Sequence, residues 1–310
     1  MDSVSQFTLA VLGADDPMGG AVLQLLEERE FPVGRLYPLT LREADASVVF
    51  RGQDWPCEAA QTFDFGQVQA LLVASPGAAA LRLVEQVRAR RPTLPVVTLD
   101  DIDPAPALAV ARILQSLAAL GDGLDGADAF VALPVAMNGQ AGVEELATQS
   151  RGLFNMESPE PEVFPLQIAF NLLPHEGEGD VGAYECRLSR TAAQRVPGLD
   201  VAFSVAWAPV FFGAAIHLHA RTASPVTAEA LRGALARRDG VLLMEADLPA
   251  ATPTPATDAQ GSDSVFVGRI RIEGRMARLW LVFDPVQLEA AQLVDRVENW
   301  IAQPANSMLT

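Results

Sequence analysis

The chain has 310 residues, half of them apolar, and carries a formal net charge of −17. This length is enough for one large or two medium domains around a sizeable core. A strongly acidic surface repels phosphate backbones and anionic lipids, so we expect neither nucleic acid nor a membrane as a partner.

Strands alternate with helices from the N-terminus to Leu99. Residues 1–10 lack a basic start followed by an apolar stretch, so we predict no signal peptide and a cytoplasmic protein. The apolar runs and the helical spacing of leucines predict the elements as follows: strands at Phe7–Gly13, Gln69–Ser75 and Pro95–Leu99, and helices at Met18–Glu30 and Ala79–Arg91. This alternation favours a parallel sheet that is covered on both faces.

From Ala107 onwards the sequence is richer in strand-forming residues. Helices are predicted at Ala107–Leu120, Val143–Leu153, Ala228–Arg238 and Val286–Ala302, and strands at Ala129–Val135, Phe164–Leu173, Val265–Ile272 and Ala277–Phe283. The segment Pro249–Ser264 is rich in Pro, Thr, Ala, Gly and Ser, which predicts a loop.

The uncharged segment Val201–Ala220 is long enough to cross a membrane. It contains Pro209, Gly213 and two histidines, and it is rich in Val, Phe and Trp. These residues predict buried strands that are broken near Pro209 and Gly213, not a membrane span.

Several runs resemble the aspartate-semialdehyde dehydrogenase family, in the family's order and rough spacing. They are AGVEEL at 141–146, QIAFNLLPH at 167–175, APVFFG at 208–213, and PTPATDAQGSDSVFVGRIR at 253–271, followed by WLVFD at 280–284. The resemblance covers nearly the whole chain.

The resemblance implies an α/β fold with two domains. Residues 1–105 with 286–310 would form a Rossmann-type domain of the NAD(P)-binding kind, and residues 106–285 an α/β (α+β) domain for catalysis and dimerisation. A homodimer through the second domain is the expected assembly, an expectation that rests on fold analogy.

Family enzymes form a thioester on an active-site cysteine and transfer hydride to or from NADP. The cysteine belongs to an Asn-Pro-x-Cys turn, and the matching stretch Asp103–Ala111 (DPAPALAVA) contains none. Cys57 comes too early in the chain and Cys186 too late, so both are interpreted as packing or chance thiols. Their separation also argues against a disulfide framework and favours a reducing compartment.

Three further family positions are apolar in this chain. The substrate-binding arginine corresponds to Trp207, the second arginine of the same run to Phe212, and the catalytic histidine to Ala214. Such replacements predict a pocket that no longer binds an acid, and no catalytic residue is assigned.

The family's Gly-x-x-Gly-x-x-Gly turn retains Gly13 and Gly19 but has Asp16 in the middle. Asp16 before Pro17 predicts an N-cap whose carboxylate occupies the free N–H groups that would hold a pyrophosphate. We therefore expect weak or no NADP binding. The alternative is that Asp15 caps the helix and Asp16 points away.

Two other cofactor positions are also altered. Arg42 corresponds to the family's arginine near the 2′-phosphate, but Glu43 and Asp45 follow it, which favours a solvated surface arginine. In the last helix the glycine near the nicotinamide is replaced by Glu289. The nucleotide site is therefore degenerate, with no cofactor expected unless NADP still binds.

His217 and His219 share one face of a predicted strand and could form a metal site with His175. Histidines that bind no metal are the favoured interpretation, so no metal ligand is assigned.

Three functions remain open. The first is a non-catalytic, Usg-like paralogue that serves binding or assembly, with a protein partner unknown. The second is an NAD(P)-dependent oxidoreductase acting on an aldehyde or oxo group, with His217 or His175 as its acid or base. The third and weakest is a metal-dependent enzyme that uses the three histidines.

Overall fold

A computed structural model describes residues 7–42, 46–175, 182–244 and 252–301. The chain divides into two compact units. The described residues of the first unit lie within Met1–Ile102, Asn138–Gln140 and Glu289–Thr310, and those of the second within Asp103–Met137 and Ala141–Leu288.

The described part of the first unit contains a parallel sheet in the order β5-β2-β1-β6-β7. Its elements are β1 (Phe7–Leu12), α1 (Pro17–Glu28), β2 (Val33–Thr40), β3 (Ser47–Phe50), β4 (Gln53–Pro56), β5 (Glu58–Ala59), β6 (Ala70–Val73), α2 (Ala78–Arg90) and β7 (Val96–Val97). Strands β1 and β6 are almost wholly buried, as their continuous apolar sequences require. This confirms the predicted Rossmann-like parallel sheet.

Strand β2 was not predicted from the sequence, although it pairs with β1 along its length. Arg35 and Pro38 interrupt its apolar run, and a proline within a strand normally argues against a central position. Pro38 nevertheless lies opposite Val11 in the sheet.

The second unit contains a mixed sheet, in the order β12-β13-β14-β11-β8-β10-β9 among the described residues. Its elements are α3 (Ala105–Ala118), β8 (Leu124–Leu133), α4 (Gly139–Phe154, its first two residues in the first unit), β9 (Leu173–Pro174), α5 (Ala183–Arg195), β10 (Val201–Trp207), β11 (Ala214–Thr222), α6 (Ala228–Leu235), β12 (Val241–Leu243), β13 (Val265–Glu273), β14 (Met276–Phe283) and the start of α7 (Pro285–Ile301).

Helices cover one face of this mixed sheet. Helix α3 packs against β8 and β11, α5 against β10, and α6 against β12 and β13. The opposite face carries polar and charged side chains along β8, β11, β13 and β14, among them Asp128, His217 and Arg221. The fold therefore combines a parallel-sheet unit with a mixed-sheet unit, as the family resemblance implied.

The predicted strand at Phe164–Leu173 is wrong. Only Leu173 belongs to a strand, because side chains of α4 take the backbone N–H groups that a strand would pair. Gln149 Oε1 accepts from the N–H groups of Ile168 and Ala169 at 2.9 and 3.1 Å.

Helix α5 was not predicted at all; its mean hydropathy is low, which weakens the periodic signal.

The predicted break in Val201–Ala220 is confirmed, since β10 ends at Trp207 and β11 begins at Ala214. Within the described ranges, no helix combines the length and apolar character that crossing a membrane requires.

Of the predicted loop at Pro249–Ser264, residues 249–251 lie outside the described residues, and Pro255–Ala259 forms a short π-helix. Ala302, the predicted end of the last helix, also lies outside them.

Candidate functional site

The two glycines retained in the first turn are required by packing. Gly13 has φ +77°, and a Cβ there would lie 2.6 Å from Ser75 Cβ. A Cβ on Gly19 would lie 2.0 Å from the carbonyl oxygen of Gly13, so α1 could not approach β1 so closely. The tight strand-to-helix turn thus accounts for both glycines without a bound phosphate.

Asp16 occupies the N-cap position of α1, as predicted, but its side chain makes no capping hydrogen bond among the described residues. Its carboxylate accepts instead from Ser75 Oγ at 2.8 Å and from the N–H of Gln140 at 3.0 Å. The predicted occupation of the helix N–H groups is therefore wrong, because two donors distant in sequence hold the carboxylate.

The neighbouring Asp15 does not cap the helix either. Its buried carboxylate accepts from Thr40 Oγ1 at 2.9 Å and pairs with the guanidinium of Arg42 at 2.8 Å. Arg42 is exposed, as expected for a surface arginine, but it also pairs with Asp15. Glu43 and Asp45, which prompted that interpretation, lie outside the described residues.

The contacts of Asp15 and Asp16 affect whether a dinucleotide phosphate fits at the start of α1. By the family resemblance Asp16 corresponds to a glycine and Arg42 to an arginine near the 2′-phosphate, and in the structure Asp15 pairs with Arg42. Two carboxylates in the turn oppose a phosphate, whereas the N–H groups of the first turn of α1 would attract one. On balance the charged side chains present do not fit NADP. Glu289, at the nicotinamide position, is buried.

The two thiols lie in different surroundings. Cys57 is buried, and burial, followed by the charge of Asp15, raises the pKa of its thiol to about 11. A protonated, buried thiol is a poor nucleophile. Cys186 lies exposed on α5.

The stretch that matches the catalytic turn opens α3. If Asp103-Pro104-Ala105-Pro106 is set against the family's Asn-Pro-x-Cys pattern, Pro106 corresponds to the cysteine. Pro106 is buried in the first turn of the helix. The carboxylate of Asp103 accepts two hydrogen bonds from the guanidinium of Arg195. One comes from Nε at 2.7 Å and the other, which is shorter, from Nη2.

The apolar replacements at the other catalytic positions fill space. Trp207 is 7% exposed, and its ring contacts that of Phe164 at 5.4 Å between centroids. Ala214 is fully buried in the same apolar cluster, which also contains Ala105 at the start of α3. Phe212 is half-buried in the segment between β10 and β11. Trp207, Phe212 and Ala214 are thus part of the core or its edge.

The glycine that precedes Ala214 is tightly packed. Gly213 has φ +80°, and a Cβ on it would lie 2.2 Å from the carbonyl oxygen of Pro255. The short π-helix therefore packs against the residue that precedes β11, which accounts for a glycine at this position.

The structure separates the three histidines. The ring of His175 stacks on those of Tyr184 and Trp207, with centroids 4.7 and 5.0 Å apart. Burial lowers the pKa of His175, and among the described residues its Nδ1 has no hydrogen-bond partner. His217 and His219 share one face as predicted, with rings 4.5 Å apart. Over the described part of the chain, no three His, Cys, Asp or Glu side chains form a group that could hold a metal ion.

A buried polar pair on α4, Glu145 and Gln149, was not predicted from the sequence. Glu145 on α4 is 9% exposed and accepts from the N–H groups of Glu162 at 3.1 Å, Val163 at a shorter distance and Phe164 at 3.4 Å. Gln149, one turn later, donates to Glu145 at 2.8 Å. Their spacing of four residues on the buried side of a helix was the available signal.

Comparisons with known proteins agree with the fold. Residues 133–286 match a family model described as "Semialdehyde dehydrogenase, dimerisation domain". The USG-1 protein homolog of Azotobacter vinelandii is 32% identical over 326 residues, covering 93% of this chain and 96% of that protein. The aspartate-semialdehyde dehydrogenase of Shewanella violacea is 28% identical, covering 92% and 95%. The crystal structure of aspartate semialdehyde dehydrogenase II from Vibrio cholerae superposes with a TM-score of 0.80 at 25% identity, covering 95% of this chain and 99% of that one.

Proposed function

Because the chain belongs to the aspartate-semialdehyde dehydrogenase family, with USG-1 homologues among its relatives, we propose that it is a non-catalytic member of that family. The observation that carries this proposal is that the stretch 103–111, which resembles the family's catalytic turn, contains no cysteine; by the spacing of that turn, Pro106 would stand at the nucleophile's position. A proline has neither a thiol nor a hydroxyl, so no thioester can form there. Trp207 and Ala214 likewise replace the groups that would bind the substrate acid and move the proton.

We also propose that the protein acts by binding or assembly as a homodimer. In this proposal residues 106–285 form the dimerisation domain, and residues 1–105 with 286–310 retain a Rossmann-type fold without a working cofactor site. The match of residues 133–286 to a dimerisation-domain model supports the dimer. Phe154 and Phe170 are 80% and 67% exposed and contact each other, with centroids 5.7 Å apart. We expect this exposed aromatic pair to lie at or near a surface that binds another chain.

The test is an assay of the purified chain with aspartate semialdehyde and NADP in phosphate buffer, followed by NADPH absorbance. We expect no turnover above the rate without protein. The Shewanella violacea enzyme, assayed in parallel, controls for substrate quality. Turnover by the purified chain above the rate without protein would overturn the proposal, whichever residue carries it.

One observation favours the alternative, an NAD(P)-dependent oxidoreductase with altered chemistry. The carboxylate of Asp16 is held by Ser75 and Gln140 and does not cap α1, so the N–H groups that would hold a pyrophosphate are left to a ligand. A fluorescence titration with NADPH separates the two functions. We expect no saturable binding by the wild type, and binding would favour the oxidoreductase.

A further inference from the structure

Two carboxylates stand at the carboxyl ends of the parallel strands in the first unit. Strand β1 pairs with β2 on one side and with β6 on the other, so the strand order reverses beside β1. In open parallel sheets, ligands bind at such a point of reversal, outside the carboxyl ends of the strands. Asp15 and Asp16 lie there, in the turn between β1 and α1. A ligand at this position would therefore have to contact these two side chains or displace them.

The carboxylate of Asp15 is enclosed by donors from the end of β2, and its side chain is only 6% exposed. Its Oδ2 accepts from Thr40 Oγ1 at 2.9 Å, and from Nε and Nη2 of Arg42 at 3.1 and 2.8 Å. Nη2 of Arg42 also donates to the carbonyl oxygen of Asp15 at 3.1 Å, which fixes the guanidinium. Asp15 thus receives the charge-assisted hydrogen bonds that a guanidinium otherwise donates to a phosphate.

The carboxylate of Asp16 is held by donors on the other side of β1. Its Oδ2 accepts from Ser75 Oγ, just after β6, at 2.8 Å, and its Oδ1 accepts from the N–H of Gln140 at 3.0 Å. Both donors belong to the first unit. Hydroxyl and backbone N–H groups are also common donors to phosphate oxygens. The groups that surround Asp16 are therefore of the kind that binds an anion.

The first turn of α1 adds to this arrangement. Pro17 has no N–H, and no side chain of the described residues caps the helix. The remaining N–H groups of the first turn and the helix dipole favour a negative charge nearby. The turn therefore has the donors of an anion-binding site, and the chain itself supplies the anions.

We propose that Asp15 and Asp16 are internal substitutes for phosphate groups, which exclude a phosphorylated ligand and keep the hydrogen bonds that it would make. This proposal rests on the proposed function, in which the first unit has no working cofactor site, and it assigns that loss to two side chains. A carboxylate attached to the turn competes with a dissolved phosphate at a high effective concentration, and its charge repels a second anion. Removing both carboxylates should therefore create an anion site from donors that are already in place.

The test is calorimetric titration of the wild type and of the double variant Asp15→Ala with Asp16→Gly. The probe is adenosine 2′,5′-bisphosphate, which has two phosphates but no nicotinamide ring, so Glu289 does not affect the result. We expect the double variant to bind it about tenfold more tightly than the wild type, or better, because two repelling charges are removed and Arg42 is released from Asp15.

A second probe and a third substitution test the role of Arg42. Adenosine 5′-monophosphate lacks the 2′-phosphate, so the double variant should bind it more weakly than the bisphosphate. Arg42→Gln, added to the double variant, should remove this preference, because the guanidinium that would bind the 2′-phosphate is then absent. A preference that persists without Arg42 would contradict the substitution of Asp15 for a phosphate.

Two controls separate the local effect from net charge and from misfolding. Asp54→Ala with Glu85→Ala removes two exposed carboxylates elsewhere in the first unit and should bind the bisphosphate no better than the wild type. Thermal unfolding without ligand shows whether the double variant is folded. If it is not, Asp15→Asn with Asp16→Asn keeps acceptor oxygens for the same donors and removes both charges, and we expect the same direction of change from it.

Three outcomes would overturn the proposal. If the wild type binds the bisphosphate as tightly as the double variant, the carboxylates do not exclude it, and the proposed loss of the cofactor site is contradicted as well. If neither the wild type nor a folded variant binds it, the site is lost for another reason, and the proposed non-catalytic function still stands. If the control variant gains as much affinity as the double variant, the effect is one of net charge and not of this turn.

Discussion

At the residue scale, Asp15 and Asp16 are neighbours in one turn, yet they bind different partners. Asp15 pairs with Arg42 and Thr40, whereas Asp16 accepts from Ser75 and from the backbone of Gln140. Either aspartate was a reasonable helix cap from the sequence, and neither caps α1. A carboxylate accepts several hydrogen bonds, so the donors that the fold brings near it decide its role.

His175 gives a prediction on the pH dependence of stability. Burial lowers its pKa in the folded protein below the ordinary value of 6.5, so the unfolded chain binds the proton more readily. Stability is therefore unaffected by this group above that value and falls as the pH drops below it. A His175→Phe variant keeps a ring between Tyr184 and Trp207 but cannot titrate, so we expect a smaller loss of stability in acid.

The measurement is urea unfolding of both proteins at pH about 8 and about 5.5, on either side of the ordinary histidine value. The pKa of His217 is also lowered, but His217 is present in both proteins. Its contribution to the pH dependence of stability therefore cancels in the comparison. An identical loss of stability in the two proteins would contradict the argument.

At the scale of elements, helix α1 contains adjacent glycines with opposite environments. A Cβ on Gly19 would lie 2.0 Å from the backbone oxygen of Gly13, whereas a Cβ on the exposed Gly20 would meet nothing within 4 Å. Gly19→Ala should therefore destabilise the protein by at least about 3 kcal/mol, because backbone must move. Gly20→Ala should stabilise it by roughly 0.5–1 kcal/mol through its better helix propensity.

Chemical denaturation of each variant and of the wild type measures both changes in the free energy of unfolding. The two substitutions add the same methyl group to the same helix, so each is the other's control. If Gly19→Ala were tolerated as well as Gly20→Ala, the close approach of α1 to its preceding turn would be wrong.

The loop after α4 gives a second prediction at this scale. Glu145 accepts from three backbone N–H groups of residues 162–164, which would be left without acceptors in Glu145→Ala. We expect a loss of about 2–4 kcal/mol in the free energy of unfolding. Glu145→Gln, which keeps an acceptor oxygen, should lose less.

The matched control is Glu144→Ala, an exposed acid at the adjacent position of α4, for which we expect a change within about 1 kcal/mol. Hydrogen exchange of residues 162–169 provides a local readout. Unchanged protection of these amides in Glu145→Ala would show that the carboxylate does not hold the loop.

At the scale of the whole molecule, net charge and the proposed dimer oppose each other. Two copies that each carry −17 repel at long range, and added salt screens that repulsion. We therefore expect sedimentation to show a dimer whose dissociation constant falls as sodium chloride rises. A dimer whose association weakens as salt is added would instead indicate an interface held by ion pairs. A monomer at all salt concentrations would contradict the proposed assembly.

Much of the architecture could be predicted because its signals are local. The apolar runs of β1 and β6, the helical spacing of α1 and the breaks at Pro209 and Gly213 each lie within a short window of sequence. The family resemblance and the fold class are confirmed. Strand β2 escaped prediction because Pro38 is atypical of a central strand, and Phe164–Leu173 was wrongly predicted because its backbone partners lie on α4.

The sequence by itself determined which chemical groups are present: glycines at both ends of the first turn, and no cysteine in residues 103–111. Only the tertiary structure decided what those groups contact. Asp16 meets Ser75 across 59 residues and Gln140 across 124, and Asp15 meets Arg42 across 27. Periodicity records which side of an element is apolar, whereas the partners of polar groups depend on segments far apart in the chain.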